Sequence, residues 1–410
     1  MKYASVLLAV TCLLSAVKAQ WLETTIYLPD SSGPRALCYN PQNNKIYCAN
    51  AWSDNVTVID GATNQVITTV TAGDHPWILC YNPLDNKVYC ANIGSDNVTV
   101  IDGATNQVIT TVTTGDYPYV LCYNPLDNKV YCANADGGTV TVIDGATDSV
   151  LATVGVGAYP SDLCYNPRNN KVYSANYYDR SVTVIDCATN RVVATVPAGG
   201  SPQALCYNSQ NNKVYAGSYQ RYNVTVIDGA TDLVVATVTA GCYPFAFCYN
   251  LQNNKVYSAN NYTGDVTVID GATDSVLVTV TVGAEARAIC YNPQGNKVYC
   301  ASTLGDEVTV IDGATDSVLR VIAVGDVPLA FCHSPVQNRV YVANGSSSSI
   351  SVLRDSAGGI EESPKPQATS SKPAATVMRR LPPGAVAFDA MGRRVTSEGG
   401  RVLCKRGGRG

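Results

Sequence analysis

The most constraining feature of this chain is a phrase that keeps coming back. Val56-Thr57-Val58-Ile59-Asp60-Gly61-Ala62-Thr63 recurs almost unchanged, and its aspartate falls at Asp60, Asp102, Asp144, Asp186, Asp228, Asp270 and Asp312, always 42 residues apart. No insertion or deletion interrupts the series. An unbroken period in this range means that one supersecondary unit has been copied, and that each copy buries its apolar surface on its neighbours. Solenoids and propellers are the architectures that do this.

Each copy divides into four short β-branched segments separated by turn formers. In the second copy they are 77–82, 87–92, 97–102 and 107–113, joined by Pro83-Leu84-Asp85-Asn86, Ile93-Gly94-Ser95-Asp96 and Gly103-Ala104-Thr105-Asn106. Such spacing predicts four antiparallel strands. The third segment is apolar along its whole length, as a strand covered on both faces should be, and the fourth is richer in threonine, as a solvent-facing outer strand should be. Blades set radially around a channel satisfy both. The first-strand signature occurs eight times, at Cys38, Cys80, Cys122, Cys164, Cys206, Cys248, Cys290 and Cys332, whereas the fourth strand follows only seven third strands. An orphan segment, 21–28, precedes the first copy where a fourth strand would lie. The chain is thus expected to be an all-β propeller of eight four-stranded blades over 20–354, its ring closed by the N-terminal strand so that no sheet edge is left unpaired.

Register can be read as well. A four-residue loop between strands two and three sets Asn50 opposite Asn55, Tyr47 opposite Val58 and Lys45 opposite Asp60. Lysine meets aspartate in seven blades, which predicts a cross-strand ion pair of roughly 0.2–1 kcal/mol in each. In the eighth both positions are arginine, Arg339 and Arg354, so the pair is expected to be lost at the closure.

The residues at this point resemble the YVTN-repeat or YncE-like β-propellers of bacterial and archaeal envelopes and surface layers. Tyr341-Val342-Ala343-Asn344 is close to that family's name motif, and Tyr47-Cys48-Ala49-Asn50 and Tyr257-Ser258-Ala259-Asn260 are variants of it. The resemblance implies the fold and an envelope setting, not one shared activity. Many such relatives are seven-bladed; seven is the alternative to the eight counted from this chain's own strands.

The segments outside the repeat carry their own signals. Lys2, an apolar run to Leu14 and small residues at Val17 and Ala19 read as a secretory signal peptide over 1–19. Beyond the repeat, 355–378 is a Ser/Pro/Lys linker expected to be disordered. The segment 379–410 is a basic tail, and from Ala387-Phe388-Asp389 onward it resembles the start of a type IX secretion sorting domain, here truncated. From residue 355 on, ten Lys and Arg face five Asp and Glu. A secreted or cell-surface (or periplasmic) location is the expectation. No later stretch reaches the roughly 20 apolar residues of a membrane span. The formal net charge of -4 gives nucleic acid no electrostatic reason to bind.

Chemistry is sparse. Sixteen cysteines in a secreted chain suggest disulfides. The register, however, puts paired candidates such as Cys38 and Cys48 on opposite faces of their sheet, and other copies accept Ser174, Ala216 or Val342 at the second position. They read as buried, reduced packing residues. Thiols spread once per blade, with no CxxC and two histidines in the chain, do not form a metal-ligand cluster, so no metal and no cofactor are expected. His333 stands where the other copies have tyrosine. No catalytic motif is found.

What remains is where the copies differ. The loops between strands one and two and between three and four hardly vary, while those on the opposite end diverge. The divergent positions include Trp52, Asp54, His75, Trp77, Asp96, Asp116, Tyr117, Tyr119, Tyr177, Tyr178, Asp179, Arg180, Tyr219, Arg221, Tyr222, Tyr243, Phe245 and Tyr262. Unconstrained drift would explain divergence, but drift favours small polar residues over tryptophan and tyrosine. The leading expectation is a non-enzymatic, monomeric scaffold that binds an extracellular or envelope protein or glycan through this aromatic and acidic face. The alternatives are a redox or hydrolytic propeller using a cofactor or metal near the central channel, and a self-assembling surface-layer component.

Overall fold

The computed structural model describes residues 20–355, together with 387–388 and 394–395. The expected signal peptide, the linker past Asp355 and the tail, apart from those two short segments, lie outside the described residues. Contacts divide the chain into a unit Met1–Ile360 and a unit Glu361–Gly410. In the second, Ala387–Phe388 pairs antiparallel with Arg394–Val395.

The first unit is an eight-bladed β-propeller. Seven sheets each take four consecutive strands, and the eighth joins Pro328–Ser334, Arg339–Asn344 and Ser349–Asp355 to the N-terminal strand Gln20–Tyr27. The N-terminal strand therefore closes the ring as the orphan segment predicts. In the second blade the strands are Pro76–Asn82, Lys87–Asn92, Asn97–Asp102 and Val108–Thr113, within a residue of the expected limits. The innermost strands touch one another in order around the channel, and the eighth returns to the first.

Blades are held by face-to-face packing. Ala36, Tyr47, Ala49, Val56 and Val58 of the first blade lie against Leu79, Val88, Cys90 and Ile101 of the second. The same arrangement repeats around the ring. Both faces of the middle strands are covered, which is why Val-Thr-Val-Ile can be apolar throughout, while Val66 and Ile67 on the outer strand are each 45% exposed. All fourteen described cysteines are free. Cys38 stands opposite Tyr47 and Cys48 opposite Leu37, so they occupy different faces as the register requires. Burial pushes the Cys38 thiol up to about 12, which leaves it a poor nucleophile.

The lysine and aspartate at the invariant end do oppose one another, Lys45 with Asp60 and Lys87 with Asp102, but the ion pair expected between them does not form. Asp60 is occupied within its own turn, accepting from Thr63 N at 2.7 Å, Ala62 N at 3.0 Å and Thr63 Oγ1 at 2.9 Å. These donors hold its carboxyl below the usual range. The lysine instead crosses to the next blade. Lys87 Nζ donates to Gly145 O, Ala146 O and Asp148 Oδ2 at 2.8–3.0 Å, and Tyr89 Oη donates to Asp148 Oδ1 at 2.6 Å. Asp148 belongs to a repeated position occupied by Asn or Asp, including Asn64, Asn106 and Asp232, where φ is +54 to +61°. Only residues that tolerate the left-handed region and carry a short acceptor suit it. Gly103 fits this clamp tightly, since a Cβ there would come within 2.4 Å of Asn86 Oδ1.

At the closure the expected loss is made good by the strand that seals the ring. Arg339 donates to Gly61 O and Ala62 O across the seam, and its guanidinium pairs with Glu23 at 2.5 Å. Arg354 lies 3.7 Å from the same carboxylate.

Candidate functional site

On the divergent end, the loop between strands two and three leans on the inter-blade loop that enters the same blade. Ile93 N donates to His75 O, and Tyr177 N to Tyr159 O. In seven of the eight copies the residue just before the first strand adopts the left-handed conformation. It is Gly33 in the first copy but His75, Tyr117, Tyr159 and Tyr243 in others, with φ of 55–61°. For bulky residues this conformation is costly and is retained where surrounding structure over-determines it. Gly33 is needed for a different reason, because a Cβ there would meet the Trp52 ring at 2.6 Å.

The candidate aromatic residues are largely gathered into one continuous arc. Trp77 meets Tyr119 (centroids 5.7 Å), Tyr119 meets Tyr117 and Tyr159 (both 6.1 Å), and Tyr159 meets Tyr177 and Tyr178. Tyr177 continues to Tyr219 at 5.8 Å, Tyr219 stacks on Tyr243 at 4.1 Å and 7°, and Tyr243 reaches Tyr222 and Tyr262. The arc runs through five consecutive blades. Its inner members Tyr117, Tyr119 and Tyr177 are buried, whereas Tyr178, Tyr222 and Tyr262 are 54%, 51% and 74% exposed. Trp77, Tyr219, Tyr243 and Phe245 are half-buried between them. Trp52, 58% exposed, lies on Gly33 and has no ring contact with the arc.

Three of the four candidate aspartates serve the loops themselves. The carboxylate of Asp54 accepts from His75 N, that of Asp96 from Tyr117 N and that of Asp179 from Ala158 N, all at 2.8–2.9 Å. Asp116 is exposed, as are Arg180 and Arg221. His75 is half-buried, and desolvation lowers its pKa against the pull of Asp54 and Asp74. Among the described residues no group of three His, Cys, Asp or Glu side chains converges as metal ligands would.

The innermost strands contribute a feature that repeat counting did not show. In every blade the pairing of strands one and two skips one residue just after the strand begins, between Pro34 and Ala36 in the first copy and between Pro202 and Ala204 in the fifth. A bulge of this kind leaves the extra residue out of the ladder and re-aims its side chain. The bulged residues form a ring at the channel mouth: Trp77, Tyr119 and Phe245 are aromatic, Arg35 and Arg287 cationic, and Ser161, Gln203 and Leu329 complete it. Arg35 lies 4.0 Å over the Trp77 ring and Arg287 5.2 Å over that of Phe245. Sequence reasoning grouped the three aromatics with the divergent loops and passed over both arginines and Gln203. Aligning the second residue of every first strand would have displayed the ring as one column.

One residue deeper the same strands carry Ala, Ile or Val except in the fourth blade, where Asp162 stands. Its oxygens accept from Leu205 N at 2.7 Å and Leu163 N at 2.8 Å, bridging two blades. Burial outweighs those two donors and pushes its pKa up to about 7.

The fold and this ring define an eight-bladed β-propeller with an individualised channel mouth. No family model matches the chain, and no curated protein is similar to it. Solved structures are similar in fold. Sqt1 of Saccharomyces cerevisiae superposes with a TM-score of 0.71 at 12% identity, covering 81% of this chain and 99% of that one. The dihydro-heme d1 dehydrogenase NirN in complex with DHE gives 0.62 at 15% identity, over 73% of both chains. Kuenenia stuttgartiensis hydrazine synthase gives 0.57 at 21% identity, over 70% of this chain and 97% of that one. At these identities the likeness concerns the fold alone.

Proposed function

We propose that this protein is a non-enzymatic binding scaffold of the YVTN-repeat, YncE-like type, carried to the cell surface or beyond by its leader, and that it holds an extracellular or envelope protein or glycan on its aromatic face. The observation that carries the reading is the arc of rings from Trp77 to Tyr262, continuous through five blades and confined to one end of the disc. Side chains that no scaffold requirement demands are gathered there on loops braced by backbone hydrogen bonds. Aromatic residues on a rigid surface supply large contact area at small cost in side-chain entropy. The buried inner rings fix the outer ones in place.

The test removes only the exposed members. Replacing Trp52, Tyr178, Tyr222 and Tyr262 together by alanine should lower retention of the protein on isolated envelope material by about tenfold or more, with the melting temperature within a few degrees of wild type. Retention equal to wild type overturns the reading. The enzyme alternative predicts instead turnover that survives this change.

A further inference from the structure

The ring of bulged residues holds two cations where a propeller needs none. Most cations buried in the repeat answer a carboxylate. Lys87, Lys171, Lys213 and Lys255 each meet an aspartate at 2.6–2.8 Å, and Arg339 meets Glu23. Arg35 breaks this pattern, because among the described residues no carboxylate reaches it and its neighbour is the face of Trp77. Arg287, two blades away around the ring, acts on it as a like charge. Burial and the positive charge of Arg287 together bring the Arg35 pKa down to about 10, against the pull of Tyr119 and Tyr117. It remains a cation at neutral pH. Two like charges over a partly desolvated mouth repel one another, and an anion seated on Arg35 would relieve that repulsion.

A second, independent feature lies in the same ring. Gln203 is 6% exposed, and its side-chain carbonyl oxygen has no hydrogen-bond donor. A buried acceptor left unpaired carries a penalty that a ligand hydroxyl would relieve. Between Gln203 and Arg287 stands Phe245, and beyond Arg35 stand Trp77 and Tyr119, so cations, acceptor and aromatic faces line one opening.

We infer that the channel mouth is a carboxylate-binding site for an acidic sugar, with Arg35 and Arg287 taking the carboxylate, the sugar ring lying on the aromatic faces of Trp77, Tyr119 and Phe245, and Gln203 accepting a hydroxyl. The inference rests on the reading of this end as the binding face and names the ligand class. A guanidinium suits a carboxylate because its N–H groups match both oxygens at once. A hydroxyl-rich ligand with a single charge fits the charge pattern better than an acidic peptide does. Asp96, Asp116 and Asp136 stand exposed on the loops of the second and third blades, beside Arg35, while Arg180 and Arg221 project from those of the fourth and fifth, and burial together with the repulsion of Asp116 and Asp96 raises the Asp136 pKa. A chain of carboxylates would meet those aspartates, whereas the hydroxyls of a sugar can donate to them.

The experiment is calorimetric titration of the full-length protein with three probes: a neutral oligosaccharide ending in a single glucuronate, the methyl ester of that glucuronate, and a short polyglutamate. Wild type should bind the free acid about 10–100-fold more tightly than the ester, as expected for a charge-assisted contact. Arg35→Gln should abolish that preference while leaving ester affinity within about threefold of wild type. Because the change removes one of two repelling charges, the Arg35→Gln variant should melt no lower than wild type. Equal affinity for acid and ester overturns the carboxylate site yet leaves the aromatic face standing. Binding of polyglutamate in preference to the sugar, lost in Arg35→Gln, overturns the ligand class. Failure of all three probes to bind overturns this inference, while the retention assay on envelope material decides the broader reading separately.

Discussion

The two ends of this disc are built from the same number of loops on the same strands, yet one is monotonous and the other is individual. At the monotonous end every loop is committed to its neighbour. Asn40 Nδ2 donates to Asn86 Oδ1, Asn86 Nδ2 to Asn43 Oδ1, and Lys45 and Tyr47 reach the turn that ends at Asn106. The bridge repeats from Asn82 to Asn128 and so on to Asn292 and Asn338. A side chain there touches two blades, so a change in one copy leaves a buried group of the next copy unpaired. At the other end backbone bonds and single carboxylates such as Asp54 and Asp96, each accepting one backbone N–H, fix the loops, and the remaining side chains are released from holding the ring together. The lesson is that variation accumulates where the backbone carries most of the structural load.

The comparison can be broken most severely at Lys297. This lysine and Asp355 are each about 1% exposed and ion-paired, and Asp355 also accepts from Asn292. Lys297→Met strands a buried carboxylate and should cost about 3–5 kcal/mol in chemical denaturation. A cost below about 1 kcal/mol, the level of an exposed pair, would mean that the clamps do not hold the ring.

Asp162 sharpens the comparison from inside the channel wall, where one copy departs from the apolar column. Its folded pKa of about 7 lies above the ordinary value near 3.8, so the folded state holds the proton more tightly than the unfolded chain does. The stability tied to this group is therefore complete below about pH 4 and is lost as pH rises through about 7. Asp162→Asn should remove that slope, leaving the variant more stable relative to wild type at pH 8 than at pH 5 by about 2 kcal/mol, and by no more than about 4. Parallel pH profiles for the two proteins would show that the two backbone N–H donors keep the carboxylate ionised.

The smallest effect concerns Cys187, which occupies the glycine position of the turn in the fourth blade. There Lys129 still reaches Cys187 O, but the buried Tyr131 hydroxyl has only the weakly bonding Cys187 thiol beside it, whereas Tyr89 and Tyr173 reach carboxylate oxygens. Cys187→Gly should restore the repeat's geometry and raise stability by about 1 kcal/mol, read as a higher denaturation midpoint. A lowered midpoint would show that the thiol's packing outweighs the lost bond.

Much of the fold was legible because the period is constant and the side-chain alternation of a strand has only two outcomes. Tyr47 opposite Val58 and Asn50 opposite Asn55 follow from one loop length. The clamp partner was not legible from that register. Lys45 does face Asp60, and nothing local tells that Asp60 spends its oxygens on Thr63 while Asn106 of the next blade takes the lysine. The aromatic face was half legible: divergence pointed to the right end, but the burial of Tyr117, Tyr119 and Tyr177 depends on which rings meet across blades. Arg35, Gln203 and Arg287 escaped notice because each lies in a strand that otherwise looks repetitive.

The amino-acid order by itself determined the copying of one unit, the count of eight, the strand register and the N-terminal segment that completes the last sheet, since all of these follow from periodicity and local pairing. Only the closed ring decided which residues of different copies share a space. Residues a whole period or more apart become neighbours through the angle between blades, and a one-residue bulge in each innermost strand turns a column of the sequence into a circle of side chains at the channel mouth.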